Sequence, residues 1–376
     1  MVSLECIMII EKWHGVTWKE EGKMFLALHE MKHEKLRYGM VIFMIMLISY
    51  LVFVLAALAL GLANQEYQAL DTWNVKSAVM TTTSDQELRQ STLTPQQVKK
   101  LTKNKDNAVI AINSVIAKTS GKKQVASTFV GIDKDQFIYH DLQLASGHKP
   151  TNSHQVVVNE SYQNDGYKVG DEIKLGSDST KYKIVGFAKD SMLQIAPVIY
   201  GTVSTWQNIR GTGDLFAGSA IVSKKSSIKV DQSGLKSYPI QKVIEKLPGY
   251  SAQNMTFEFM IGFLLIISLI VIAVFLYIIT IQKLSNYAVL RAQGVPSRFL
   301  VNATISQSIL LTVSGLVIAV LLVWGTSLAM PAAVPMSFNW GLMAAISLGL
   351  VVMSLLGSII PVRVVTKVDP VSVIGG

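Results

Sequence analysis

The side chains that most often perform catalysis or bind metals follow no recognised spacing in this chain. The six histidines are His14, His29, His33, His140, His148 and His154. They form neither HExxH nor a comparable ligand pattern. Gly22-Lys23 and Gly121-Lys122 lack the earlier glycine and the following hydroxyl of a GxxxxGK[ST] phosphate loop. We therefore expect no metal site and no ATPase in this chain, and no Ser/His/Asp set can be recovered from the sequence alone.

A mechanical site is indicated by residues 285–298, which read SNYAVLRAQGVPSR between two long apolar stretches. The pattern predicts a short polar helix that carries Arg291 and Arg298 at its end and just beyond it. Gly294 and Pro296 predict a sharp stop, because glycine readily ends a helix and proline cannot continue one. This segment, the elbow, is typical of a place where another protein pushes on a membrane protein.

The elements around the elbow are predicted membrane spans. Half of the 376 residues are hydrophobic and only 16% are charged, and the apolar residues are concentrated in four blocks. A span needs about 20 apolar residues, and each block reaches that length. We predict spans at 38–63, 257–281, 303–329 and 338–362, with a cytoplasmic coupling helix within 282–302. The fold class is therefore an α-helical membrane protein with four transmembrane helices.

Basic residues predict the orientation of these spans. They precede the first span, occur in the elbow and follow the fourth span, whereas residues 330–337 carry none. The positive-inside rule then places both termini and the elbow in the cytoplasm. This assigns an amphipathic cytoplasmic segment to 24–37, an extracellular domain to 64–254 and a cytoplasmic tail to 363–376.

Charge and cysteine content narrow the partners and the compartment. The net charge of +9 includes many lysines in the outer segment, but they lack the interleaved arginines and aromatics of a nucleic-acid surface. We expect membrane lipid, and not nucleic acid, as a partner. The only cysteine is Cys6, so the extracellular domain needs no disulfide. That composition favours the cell membrane of a Gram-positive bacterium.

The outer segment reads as a mixed α/β domain. Thr94-Pro95-Gln96-Gln97 is a capping box with proline at the first helical position, and it predicts a helix through about Thr102. Residues 155–159, 172–175 and 181–188 are β-rich runs separated by turn-forming glycine, aspartate and serine. We expect this large domain to fold around its own core.

Two further features of the sequence concern translation and packing. Residues 1–23 look unlike the rest of the chain, and Lys19-Glu20-Glu21-Gly22-Lys23 resembles a translated ribosome-binding site. We therefore expect translation to start at Met24; an amphipathic helix leading into the first span is the alternative. Small residues at four-residue spacing predict close helix packing in the membrane. They are Gly341, Ala345 and Gly349, Gly315 and Ala319, and Ala57 and Gly61.

One amino-terminal span, a large outer domain and three carboxy-terminal spans resemble the layout of FtsX-like or MacB-type ABC transporter permeases. The motifs that carry the resemblance are VVVNESYQNDGYKVGDEIKL at 156–175, KYKIVGF at 181–187, TIQKLSNYAVLRAQGVPSRFLV at 280–301, MPAAVP at 330–335 and KVDPVSVIGG at 367–376. The opening MFLALHEMKHEKLRYG from Met24 is also similar to the start of such permeases. Within the family, these motifs look most like the heme-efflux branch.

The resemblance implies a permease that works with separate ATP-binding subunits. It implies a homodimer of permeases with two ATPase subunits, ATP hydrolysed by the partner, and no permanently bound cofactor. Tyr287, Leu290, Arg291 and Gly294 match the coupling surface on which such an ATPase acts. The alternative is that Tyr287 and Leu290 only anchor a helix at the membrane interface.

If heme is the substrate, the resemblance implies an amphiphilic site at the outer edge of the first and second spans. Candidates are Glu66 and Tyr67 beyond the first span, and Met255, Glu258 and Met260 at the start of the second. Glutamate, tyrosine and methionine can contact porphyrin or ligate its iron, and an acid at the edge of a span is costly. The alternative is ordinary packing, with Glu258 in headgroup water.

Two other functions stay open within the same superfamily. One is export or sensing of antimicrobial peptides, lipids or lipoproteins. The other is a regulator without transport activity, in which ATPase strokes activate a cell-wall hydrolase through the outer domain. The sequence does not decide the direction of transport or which ATPase is the partner.

Overall fold

The computed structural model describes residues 34–330 and 334–367. The proposed start-site extension 1–23, the segment 24–33 and the terminus 368–376 lie outside the described residues. The chain divides into two compact units, one containing Met1–Leu58 and Phe257–Gly376 and the other Ala59–Thr256. We call them the membrane unit and the outer unit.

The first helix, α1, covers Lys35–Thr72 and is longer than the predicted span 38–63. The extension past residue 63 is explained by packing, because Ala69, Leu70 and the following Trp73 are buried in the core of the outer unit. A helix continues where its side chains keep a buried face, even after the membrane-type apolar run has ended. The predicted end of the first span is therefore not the end of the helix.

The outer unit is a mixed α/β domain, as predicted. Its strands are β1 Ser77–Thr81, β2 Asn107–Lys118, β3 Val125–Ile132, β4 Leu144–Gly147, β5 Gln155–Asn159, β6 Glu172–Leu175, β7 Tyr182–Ala188, β8 Met192–Leu193, β9 Ala196–Thr202, β10 Ala220–Ser223 and β11 Leu235–Pro239. Its helices are α2 Pro95–Leu101, α3 Phe137–Asp141, α4 Val203–Arg210 and α5 Ile240–Glu245.

The predicted start of α2 is confirmed in atomic detail. The Thr94 hydroxyl accepts the Gln97 N–H at 3.4 Å, and the Gln97 side chain accepts the Thr94 N–H at 2.9 Å. These two bonds satisfy donors that the first helical turn leaves open, and Pro95 has no donor to satisfy. The strand predictions at 155–159 and 172–175 are also confirmed, and the third strand begins at Tyr182.

The strands form one sheet in the order β11-β1-β10-β2-β3-β9-β5-β7-β4, with β6 and β8 pairing off this path. The β3–β9 and β5–β7 pairs are parallel, and the others are antiparallel. Each face of the sheet is covered by its own apolar cluster, one around Trp73 and Tyr200 and one around Phe129 and Trp206. Two covered faces provide a core of the size that a domain without disulfides needs.

The membrane unit adds α6 Tyr250–Gln282, α7 Leu284–Ala292, α8 Ser297–Ala329, α9 Trp340–Gly357 and α10 Ile359–Thr366 to the start of α1. The described residues contain four helical segments long and apolar enough to cross a membrane, with α9 and α10 counted as one. The fourth segment begins at Trp340, because Asn339 caps it by accepting the Leu342 N–H at 3.1 Å. All four predicted spans are thus confirmed as helices.

Close packing between spans occurs at some of the small residues that the sequence singles out. A methyl group on Gly315 would lie 2.7 Å from the Ile45 side chain, so α8 and α1 approach closely there. Ala319 is fully buried. At Gly349, by contrast, a methyl group would meet no described atom within 4 Å. The expected close approach is therefore found at Gly315 and is wrong for Gly349 within the described chain.

The structure predicts a large cost for a methyl group at Gly147. This residue has φ +83°, and a Cβ there would overlap the Val185 carbonyl oxygen on the neighbouring strand. Gly121 has a similar φ of +75° but no atom within 4 Å of its Cβ position, which makes it a matched control. We expect Gly147→Ala to cost about 3 kcal/mol and Gly121→Ala about 1 kcal/mol.

Thermal unfolding of the full chain in detergent tests this difference. The apparent midpoint should fall by roughly 6–12 °C for Gly147→Ala and by roughly 2–4 °C for Gly121→Ala. Equal shifts for the two variants would show that backbone strain alone, and not the close approach of β4 and β7, determines the cost.

Candidate coupling and substrate sites

The elbow is a distinct short helix, α7, with the predicted glycine stop. Gly294 has φ +90°, and its N–H donates to the Arg291 carbonyl at 3.0 Å. The Val295 N–H reaches back to the Leu290 carbonyl at 3.1 Å. These bonds satisfy carbonyls at the end of the helix, and Pro296 then precedes α8 in an extended conformation. The chain therefore reverses at a fixed point.

The elbow has a buried face and an open face. Tyr287 is 5% exposed and Ala288 is fully buried, and Tyr287 lies in an apolar cluster with Leu300 and Val365. Exposed residues on the other side are Ser285, Asn286, Ala292, Gln293 and Gly294. The buried face fixes α7 against α8 and α10, so the open face is the one that another protein can reach.

The four predicted coupling residues consequently occupy different environments. Tyr287 is buried and Leu290 packs against the same cluster, so both anchor the helix. Arg291 is half-exposed and Gly294 is exposed, so both border the open face. The structure thus favours the anchoring interpretation for Tyr287 and Leu290, while a direct contact of Arg291 and Gly294 with an ATPase stays a prediction.

Among the predicted substrate residues, Glu66 is buried in the outer unit. It is 1% exposed, and its Oε2 atom has no hydrogen-bond partner among the described residues. The turn between β8 and β9 covers this part of α1, since the Gln194 N–H donates to the Glu66 carbonyl at 2.9 Å. In this conformation Glu66 is not accessible to a ligand in the lipid.

Arg89 is a charged group near Glu66 that the sequence did not single out. Burial lowers the pKa of its guanidinium below the ordinary value, and the carboxylates of Glu87 and Glu66 oppose that shift. Its Nε atom is buried without a hydrogen-bond partner among the described residues, as are both amide atoms of Gln194. The Nη2 atom of Arg89 donates to the Thr128 hydroxyl at 3.4 Å. No spacing signal relates Arg89 to Glu66, because only the fold brings them together.

Tyr67 also belongs to the outer unit, but it lies next to the start of α6. Its ring packs edge-on against Tyr250, with 6.1 Å between ring centres, and its hydroxyl is 3.4 Å from the Asn64 side chain. The end of α1 and the beginning of α6 are therefore neighbours within this unit. The predicted role of Tyr67 as a heme contact is not tested by this arrangement.

The three candidates on α6 are accessible. Met255 is 59% and Met260 is 42% exposed, and Glu258 is also exposed. At about 100° per residue, Met255 and Glu258 lie about 60° apart around the helix, whereas Glu258 and Met260 are about 160° apart. Met255 and Glu258 therefore share one face of α6, and Met260 points away from Glu258.

Metal binding by the histidines finds no support in the described residues. No group of three or more His, Cys, Asp or Glu side chains in the described part of the chain is placed to hold a metal ion. His148 and His154 make local bonds, His148 to the Lys149 carbonyl at 2.9 Å and His154 to Ser153 at 3.3 Å. Such contacts are those of ordinary surface histidines.

Two known families match most of the chain. Residues 39–232, more than half of the chain, match the MacB-like periplasmic core domain. Residues 258–370 match the FtsX-like permease C-terminal family.

Curated relatives extend this similarity over the full length. The chain is 25% identical to HrtB of Staphylococcus epidermidis over 354 residues, which cover 94% of this chain and 99% of that protein. HrtB of Staphylococcus haemolyticus is 24% identical over 356 residues, with the same coverage of both chains. Both relatives are named as hemin transport system permease proteins.

Solved structures resemble the outer unit. The periplasmic region of MacB from Actinobacillus actinomycetemcomitans covers 46% of this chain and 95% of its own, with a TM-score of 0.36 and 16% identity. The extracellular domain of the ABC-type transporter YknZ from Gram-positive bacteria covers 42% of this chain and 84% of its own, with a TM-score of 0.31 and 14% identity.

Mutations on the two faces of α7 should differ in how much they lower the stability of the protein. Tyr287→Ala removes a buried ring and should lower stability by about 3 kcal/mol, because large aromatic-to-alanine changes in cores cost that much. Asn286→Ala changes the preceding residue, which lies on the open face, and should stay within about 0.5 kcal/mol of the original protein. Thermal unfolding in detergent measures both, and a stable Tyr287→Ala variant would contradict the anchoring role.

Proposed function

We propose that this chain, which belongs to the family of MacB-like and FtsX-like ABC transporter permeases, drives the efflux of heme from the bacterial cell membrane. The observation that carries the proposal is the similarity along 94% of the chain to proteins named as hemin transport permeases. At 25% identity, this similarity supports the family more strongly than the substrate. The exposed methionine and glutamate at the start of α6 add a chemical reason for heme.

The proposed mechanism divides the work between two kinds of subunit. A permease of this family relies on a separate ATPase, and two copies of this chain would pair with two ATPase subunits. ATP is hydrolysed by that partner, and heme is the substrate and not a bound cofactor. Closure of the ATPase pushes on the open face of α7, which the buried Tyr287 holds against the other membrane helices. The charge of the flanking segments supports cytoplasmic termini and a cytoplasmic elbow.

The substrate surface is best assigned to the shared face of Met255 and Glu258. Thioether sulfur is an established heme ligand, and a carboxylate can contact the iron or a polar edge of the porphyrin. Both side chains are exposed on an apolar helix. We leave Glu66 out of this surface, because its side chain is buried under the β8–β9 turn.

Growth of a deletion strain tests the function itself. The strain should be hypersensitive to hemin, and restoring this gene should reverse the defect, while tolerance to cell-wall antibiotics stays unchanged. Sensitivity to bacitracin or antimicrobial peptides with normal hemin tolerance would assign the transporter to peptide or lipid export. A division defect with a failure to activate a cell-wall hydrolase would assign it to regulation.

Variants of α6 test the substrate surface. Glu258→Gln and Met255→Leu should each lower hemin tolerance severalfold, because they remove a ligand or charge from the same helix face. Met260→Leu is the matched control, since it changes an exposed methionine on the opposite face and should have little effect. Full hemin tolerance in the Glu258→Gln strain, at normal protein levels, would remove Glu258 from the site.

A further inference from the structure

A buried lysine occupies the point where the second span ends and the elbow begins. Lys283 lies between Gln282, the last residue of α6, and Leu284, the first residue of α7. Its N–H donates to the Thr280 carbonyl at 3.1 Å, and its carbonyl accepts the Tyr287 N–H at 3.0 Å. The residue thus belongs to both helices through its backbone. Its backbone is the hinge between the span and the elbow.

The Lys283 side chain is directed into the protein and not toward solvent. It is 4% exposed, and its Nζ atom donates to the Tyr38 hydroxyl oxygen on α1 at 2.7 Å. The Gln307 side chain on α8 donates to the same oxygen at 2.6 Å. Tyr38 and Gln307 are 1% and 4% exposed. One phenol oxygen therefore connects the hinge to two other spans.

Apolar side chains flank this three-residue node on one side. Tyr38 belongs to a buried cluster that also contains Val41 and Ile279. The nearest acid described is Glu34, whose Oε2 atom lies 3.9 Å from Lys283 Nζ and 2.7 Å from Arg37. A lysine at the end of a span usually extends to the membrane surface, where water solvates its charge. The Lys283 side chain is instead directed into the protein, where losing a hydrogen-bond partner costs more free energy than at the surface.

The cost of separating this node makes it a mechanical connection. If α7 moves, the hydrogen bonds of Lys283 and Gln307 to Tyr38 persist only if the start of α1 and the start of α8 move with it. If the three residues separated, buried polar groups would lose these hydrogen bonds, which costs free energy in the protein interior. Movement of the elbow and movement of the two spans are therefore energetically coupled through one oxygen atom.

We propose that the Lys283–Tyr38–Gln307 node transmits displacement of the elbow to the first and third spans. Lys283 is a positioning residue in this proposal, since it contacts neither ATP nor the exported molecule. The proposal rests on the proposed function in that an ATPase acts on the elbow. It goes beyond that function by naming the residues that convert the push on α7 into movement of α1 and α8.

Transport and ATP hydrolysis by the full chain, together with its copurifying ATPase, test the node. Lys283→Met should lower the tolerated hemin concentration about tenfold, while the ATP hydrolysis rate of the purified complex stays within about twofold. Lys283→Arg, which keeps a donor and a charge, should restore part of the tolerance. Gln282→Met is the matched control, because Gln282 is next to Lys283 in the chain and its side chain is exposed. It should behave like the original protein.

Tyr38→Phe gives a second test that does not remove the lysine. It deletes only the shared oxygen, so it should uncouple transport from hydrolysis even if Lys283→Met fails to fold. The Tyr38→Phe/Lys283→Met double variant should be no worse than either single variant, because both break the same connection. Additive losses, or an equal fall in ATP hydrolysis and transport, would overturn the proposal.

A distance measurement that needs no hemin tests the node independently of which substrate the permease transports. Cys6 is the only cysteine, so a Cys6→Ser background accepts spin labels at Gln293 on the elbow and at Leu328 near the end of α8. Both positions are exposed. In the complex with the copurifying ATPase, ATP should change the label distance for the original protein and not for the Lys283→Met variant. The same ATP-dependent change in both would overturn the node, whereas normal hemin tolerance in a deletion strain would overturn heme efflux alone.

Discussion

Polar groups inside the membrane unit have no water to bind, and the way in which they pair determines how its helices pack. The Ser308 and Thr312 hydroxyls on α8 each lie 2.6 Å from the Ser354 hydroxyl on α9. Near the other end of α8, the Thr326 hydroxyl lies 3.0 Å from the Tyr50 hydroxyl on α1. Each contact joins two helices, and individually each is weak. Together with the close approach at Gly315, they make α8 the helix that contacts both α1 and α9.

The outer unit obeys a different constraint, since it is stabilised by burial of apolar side chains. Its sheet has a covered core on both faces, and Trp73 and Trp206 are fully buried, one in each core. The indole nitrogens of both tryptophans are buried without a described hydrogen-bond partner, but four further such atoms belong to Glu66, Arg89 and Gln194. Native structures seldom leave buried polar groups unpaired, because each one costs free energy. In this conformation, unpaired buried polar atoms of the outer unit are therefore concentrated at Glu66, Arg89 and Gln194.

Features with a local physical cause were predictable from the sequence. Span length follows from apolar composition, the start of α2 from its capping box, and the end of α7 from Gly294. The burial of Glu66 was not predictable, because a polar residue after a span looks like a membrane edge until Ala69, Leu70 and Trp73 show that the helix continues into a core. The node at Lys283 was missed for a similar reason. Tyr38 and Gln307 are far from it in sequence, and a lysine beside a span normally indicates an exposed cytoplasmic end.

The distribution of exposure limits how this permease can meet an amphiphilic substrate. Glu66 and Tyr67 are directed into the outer unit, where packing against Tyr250 and the β8–β9 turn restrains them. Met255 and Glu258 are on an exposed helix face next to Phe259, which is 63% exposed. An iron porphyrin presents a large apolar surface with a polar edge, which matches aromatic and thioether side chains beside a carboxylate. A hydrophilic peptide would gain little from such a face. These exposed side chains of α6 are the chemical basis of the proposed heme substrate.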